Sequence, residues 1–209
     1  MQSYSVHDDH ERLRRMGPPE NEASAAVAVT AVLGRTPTVA VTLAGVQVFS
    51  TGVSFSIGLR CRPEALGLLD HRNVGSLLFD QGRGGASLFL GVELADGRRA
   101  TNLPGRHWSA DPPGPESLVF HTGGGGGSQL AAHQEVWLSP VPPDGPLRLV
   151  VRCDALDLPE TVTELDGTAI RAAAADVVTL WPWVSPSAAE PPQPGAPDVP
   201  ADSWFAGPA

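Results

Sequence analysis

Lysine is missing from this chain, so all 14 basic residues are arginine, set against 23 acids for a formal net charge of −9. A surface of that sign repels phosphate backbones and anionic lipid, which disfavours nucleic-acid and membrane-surface roles. Cysteine is nearly absent. Cys61 and Cys153 alone are too few for a disulfide scaffold, and no CxxC or Cys/His spacing suggests a zinc site. Long apolar runs are missing as well, and none approaches transmembrane length. Arg12, Arg14 and Arg15 do precede a weakly apolar stretch from Ala23 to Gly34. The intervening PPENE, with two prolines and two acids, breaks the basic-to-apolar junction of a secretory signal, so a reducing cytoplasmic setting is expected.

What the chain does have is 42% hydrophobic residues over 209 positions, enough for one domain with a sizeable core, and abundant glycine and proline to punctuate it. The organisation expected is a disordered N-terminal arm over 1–23, a folded domain over 24–184, and a disordered acidic tail rich in proline and alanine over 185–209. Period-two alternation dominates the middle part. Val27, Val29 and Leu33 suggest a first strand, Thr38 to Ala44 a second, and Val46 to Ser50 a short third beyond Gly45. From Val53 to Arg62 the residues Phe55, Ile57, Leu59 and Cys61 share one face. Leu88 to Leu94 leads into Asp96-Gly97, a type I′ hairpin signal, with a return over Arg99 to Leu103.

The stretch from Leu147 to Trp183 closes the pattern. Leu147, Leu149, Val151 and Cys153 repeat the face of Phe55 to Cys61, which predicts a shared core with the two cysteines as buried neighbours. Thr168 reads as the N-cap of an amphipathic helix to about Thr179, with Ile170, Ala173, Ala174, Val177 and Val178 inward and Pro182 as the stop. A hairpin over Asp166-Gly167 with the helix starting near Arg171 is the competing reading. Trp181 and Trp183 are expected to pin the helix end to the sandwich, and Trp137 to cover the other sheet face or stand exposed.

Chemistry is harder to find. No HExxH, GxSxG, EF-hand, Walker or dinucleotide pattern is present. The run Gly123, Gly124, Gly125, Gly126 and Gly127 lacks the following helix and the lysine of a phosphate loop, so it is expected as a flexible hairpin-like loop, with ordering around a ligand or partner as the functional alternative. His7-Asp8-Asp9-His10 reads as a solvated charge cluster, and no metal or cofactor is expected. Arg60, Arg62, His71, His107, His121, His133, Glu135 and Asp154 are the polar candidates for an acid/base site. Trp204 and Phe205 form an aromatic island in the tail, suited to docking.

The succession VAVTLAGVQVFSTGVSFSIGLRCR, LGVELADGRRA, GGGGG, WLSPVPPDGPLRLVVRC and LDGTAIRAAAADVVTLWPW, spanning roughly Ala25 to Trp183, resembles a group of uncharacterised proteins of high-GC actinobacteria. The resemblance carries no activity with it. The expectation is therefore an all-β chain, an antiparallel β-sandwich of about eight to ten strands with one C-terminal α-helix, a lipocalin-like barrel being the alternative. Its expected role is a non-catalytic cytosolic binding or assembly module that contacts a protein partner or another copy. Gly123 to Gly127, Trp204 and Phe205 are its candidate contacts. A hydrolase-type enzyme with a site in the histidine-bearing and glycine-rich loops is the alternative, and a small-ligand carrier the third.

Overall fold

The computed structural model describes residues 13–69, 73–79, 88–103 and 117–184. Among them run twelve antiparallel strands: β1 (Glu22–Ala23), β2 (Ala25–Val27), β3 (Ala31–Arg35), β4 (Val39–Phe49), β5 (Gly52–Cys61), β6 (Phe89–Glu93), β7 (Arg99–Thr101), β8 (Val119–Gly127), β9 (Ala131–Ser139), β10 (Pro146–Cys153), β11 (Leu158–Asp166) and β12 (Val178–Thr179). Two short α-helices, α1 (Val74–Phe79) and α2 (Gly167–Ala173), interrupt them.

Two sheets form the sandwich. One has the order β2-β4-β5-β9-β8, with β3 also paired to β4; the other runs β11-β10-β6-β7, and β1 and β12 make a separate two-stranded ribbon. Alternation dictates which residues meet between the sheets. Val53, Phe55, Ile57 and Leu59 of β5 are buried, as are Leu147, Leu149, Val151 and Cys153 of β10 and Leu88, Leu90, Val92 and Leu94 around β6. Burying each such side chain stabilises the fold by roughly 1.5–3 kcal/mol. Cys61 and Cys153 end the two matching runs as free thiols, and burial raises both above the ordinary thiol range, Cys153 to about 11. The thiolate of Cys61 would also repel that of Cys153.

Several local expectations change. The two strands expected on either side of Gly45 are one eleven-residue strand, β4, whose register shifts between Leu43 and Val46. Gly45, at φ 151, takes a backbone conformation that side-chain-bearing residues rarely adopt, so the chain bulges there instead of ending. A hairpin does join β6 to β7, but not through the expected type I′ turn: Asp96 keeps a negative φ, the Gly97 amide donates to the Leu94 carbonyl at 2.9 Å across Ala95-Asp96, and Gly97 follows at φ 84.

The C-terminal helix is shorter than its alanine content predicts. Asp166, not Thr168, is the N-cap, accepting from the amides of Thr168 and Ala169 at 3.0 and 3.1 Å; the Thr168 hydroxyl accepts from the Gly145 amide at 2.9 Å. The helix gives way to a 3-10 turn over Ala174–Asp176 and then to β12, and Val178 is exposed rather than inward. Val177, Val178 and Thr179 are β-branched, and pairing with β1 outweighs the propensity of the preceding alanines.

Of the N-terminal arm expected over 1–23, residues 1–12 lie outside the described residues, and residues 13–23 pack on the domain. From Leu13 onward the chain lies against the outer face of the larger sheet, and Asn21 and Glu22 are buried. The Glu22 carboxylate, with its side chain 1% exposed, takes Arg14 at 3.0 Å, the Ser50 amide at 2.9 Å and the Ser50 hydroxyl at 2.5 Å. Trp137, out of phase with its core-facing neighbours, is 3% exposed because this segment covers it, its indole N–H donating to the Arg15 carbonyl at 2.9 Å. Trp181 is 56% exposed and pins nothing inward, whereas Trp183 lies 5.9 Å beneath the Arg14 guanidinium.

Candidate functional site

The glycine run is a strand. Gly123 to Gly127 complete β8, which pairs with β9 and ends the order of the larger sheet, with no strand beyond it among the described residues. That corrects the expected loop, and the physical reason lies in how close the two strands come. A Cβ at Gly125 would sit 2.2 Å from the His133 carbonyl oxygen, and one at Gly127 would sit 2.9 Å from the Ala131 carbonyl oxygen. Only glycine fits at those two positions.

The other three glycines are not demanded sterically. A Cβ at Gly124 would meet nothing within 4 Å, and those at Gly123 and Gly126 would approach 3.5 and 3.3 Å. Between Thr122 and Gly125 the register slips by one residue, a bulge that gives β8 an extra residue opposite Glu135. Gln134, buried behind it, donates to the Gly123 carbonyl at 3.5 Å, and its Oε1 has no partner among the described residues. The result is an exposed ribbon of backbone without side chains. Alternate N–H and C=O groups of any edge strand point away from the sheet.

Helix α1 walls the ribbon on one side. Asn73 starts it by accepting the Ser76 amide at 2.9 Å, and Val74, Leu77 and Leu78 bury its inner face. That leaves Phe79 at the helix end, 42% exposed, with its ring 3.0 Å from where a Gly125 Cβ would lie. Between α1 (Asn73, Ser76, Phe79) and the β8–β9 turn (Gly127, Ser128, Gln129) opens a recess of about 540 Å³. Backbone donors and acceptors with one exposed aromatic ring beside them make a surface suited to an extended peptide.

The acid/base candidates do not converge. His121 bonds the Met16 carbonyl at 2.5 Å, under the N-terminal segment. His133 and Glu135 share the outer face of β9, but Glu135 accepts from Ser54 at 2.9 Å, and neither described histidine is paired with a carboxylate. Arg60 donates to the Leu59 and Ala132 carbonyls, and Asp154 pairs with Arg152 at 2.7 Å beyond β10. Arg62 is exposed just past β5. His7 to His10, His71, His107, Trp204 and Phe205 lie outside the described residues. Between the sheets, a void of about 10 Å³ lined by Phe55, Ile57, Leu90, Phe120 and Leu149 has room for little more than one water-sized sphere.

Sequence reading missed α1 and the covering N-terminal segment. The only available signals were Asn73 ahead of an apolar run, and Glu22 alone among weakly patterned residues. No family model matches the chain, and neither a curated protein nor a solved structure matches it. The fold and site define an antiparallel β-sandwich with a bare glycine edge. No helix among the described residues is long and apolar enough to cross a membrane.

Proposed function

We propose that this protein is a non-catalytic binding module that takes an extended segment of a protein partner along the glycine edge of β8. The observation that supports it is the surplus of glycine. Each glycine inside a strand costs roughly 0.5–1 kcal/mol relative to alanine, and Gly123, Gly124 and Gly126 carry that cost without a close steric contact that requires it. Edges are ordinarily guarded by lysine, proline or charge; Gly123 to Gly127 carry none of these. An added strand would meet backbone that carries no side chains over Gly123 to Gly127, and Phe79 beside the ribbon offers a contact for one apolar side chain.

Binding is favoured over hydrolysis because the Glu135 carboxylate is engaged by Ser54, and His121 by backbone. It is favoured over ligand carriage because the space between the sheets is filled. Two free thiols accord with a reducing cytosol.

The test is a random dodecapeptide library panned against the whole chain, followed by hydrogen exchange with an enriched peptide bound. Amide protection gained over residues 119–127 is expected. Protection gained elsewhere, or no enrichment, overturns the reading.

A further inference from the structure

The two ends of the described chain meet at one place. β1 pairs with β12, the Asn21 carbonyl accepts from the Leu180 amide at 2.8 Å, and the Asn21 side chain donates to the Trp181 carbonyl at 2.8 Å. On the C-terminal side of this junction Val178, Leu180, Trp181 and Val184 are all exposed, from 49% for Leu180 to 79% for Val184. Four large apolar side chains are thus exposed within seven consecutive residues, and exposed apolar surface of this kind is where contacts form. Arg14 lies over Trp183 at the same junction, its charge paired with the Glu22 carboxylate at 3.0 Å.

Residues 185–209 depart from this patch. They carry Glu190, Asp198 and Asp202, no basic residue, and one aromatic pair, Trp204-Phe205, directly after Asp202-Ser203. We propose that Trp204 and Phe205 dock in cis on the patch around Leu180 and Trp181. Two features lead there: apolar rings match exposed apolar side chains, and the segment that carries them follows Val184 directly in the chain.

The geometry allows it. Nineteen residues lie between Val184 and Trp204, six of them proline; that length would span about 25 Å root-mean-square as a random coil and about 60 Å as extended polyproline II, so docking requires the segment to bend back on itself. A flexible tether of this length would give an effective concentration on the order of 1 mM, the upper bound for a proline-rich one. A contact with a dissociation constant of about 0.1 mM between separate molecules would thus be at most about 90% formed within one chain. The docked pair would shield the patch from other chains.

The full chain labelled with 5-fluorotryptophan tests this by fluorine NMR, the Trp204 signal being assigned with Trp204→Phe. That signal is expected away from the free-tryptophan position, unchanged on tenfold dilution, and back at the free position in Leu180→Ser and in Trp181→Ala. Both substituted residues are exposed, so the variants should keep the parent melting temperature; if one fails to fold, the other decides. Gly124→Ala should leave the signal where it was. A Trp204 signal at the free position in the parent chain overturns the proposal. So does a displaced signal that moves with dilution, which would mean docking onto a second copy, or one that survives both patch variants.

Discussion

Adjacent glycines in β8 should respond oppositely to the same substitution. At Gly125 an alanine Cβ would lie 2.2 Å from the His133 carbonyl oxygen and 2.9 Å from the Gln134 Cα, both backbone atoms of the paired strand, which cannot swing aside as a side chain would. Overpacking of this kind costs about 1–3 kcal/mol. At Gly124 the added methyl would meet nothing within 4 Å, and φ lies outside the left-handed region, so the chief effect is lost freedom in the unfolded chain. That stabilises by about 0.4–1 kcal/mol. For a domain of this size, 1 kcal/mol moves the melting temperature by about 2–4 °C. Gly125→Ala should therefore melt several degrees below the parent and Gly124→Ala slightly above it, with urea midpoints shifting in the same order at unchanged slope. Equal effects at the two positions would refute the strand assignment, since a loop would tolerate both.

Alkaline pH offers a second check, made clean by a composition with no lysine and one tyrosine. Burial raises the Cys153 thiol from about 9 to about 11, so between those values the unfolded chain has released a proton that the folded chain still holds. Stability is therefore fully present below pH 9 and falls by about 2–3 kcal/mol as pH rises through 11. Urea titrations at pH 8 and 11 should show this fall, reduced in Cys153→Val; an identical fall in that variant assigns the effect elsewhere. Removing the carboxylate in Glu22→Ala leaves Arg14 and Ser50 without their shared acceptor and should lower stability by about 1–3 kcal/mol. Hydrogen exchange should then quicken first at β1 and β12, and uniform exchange across the domain would count against a local latch.

How much of this was legible depended on how far apart the deciding residues lie. The faces of β5 and β10 and the existence of a hairpin at Asp96-Gly97 are local matters of alternation and turn chemistry, and each is readable within a few residues. The glycine ribbon was legible as a feature but not as a strand. Its conformation depends on the carbonyls of Ala131 and His133 across the hairpin, and glycine's own preference points the other way.

Composition and pattern by themselves determined the class: an acidic, all-β sandwich with free thiols at the ends of two matching strands and no recognisable catalytic motif. Side-chain periodicity encodes which face is buried, whatever the partner sheet is. Tertiary structure alone decided that residues 13–23 cover Trp137, that the alanine helix stops for a strand, and that five glycines lie bare along an edge. Each of those rests on contacts between segments distant in the chain, whose free energies exceed the local propensities they override.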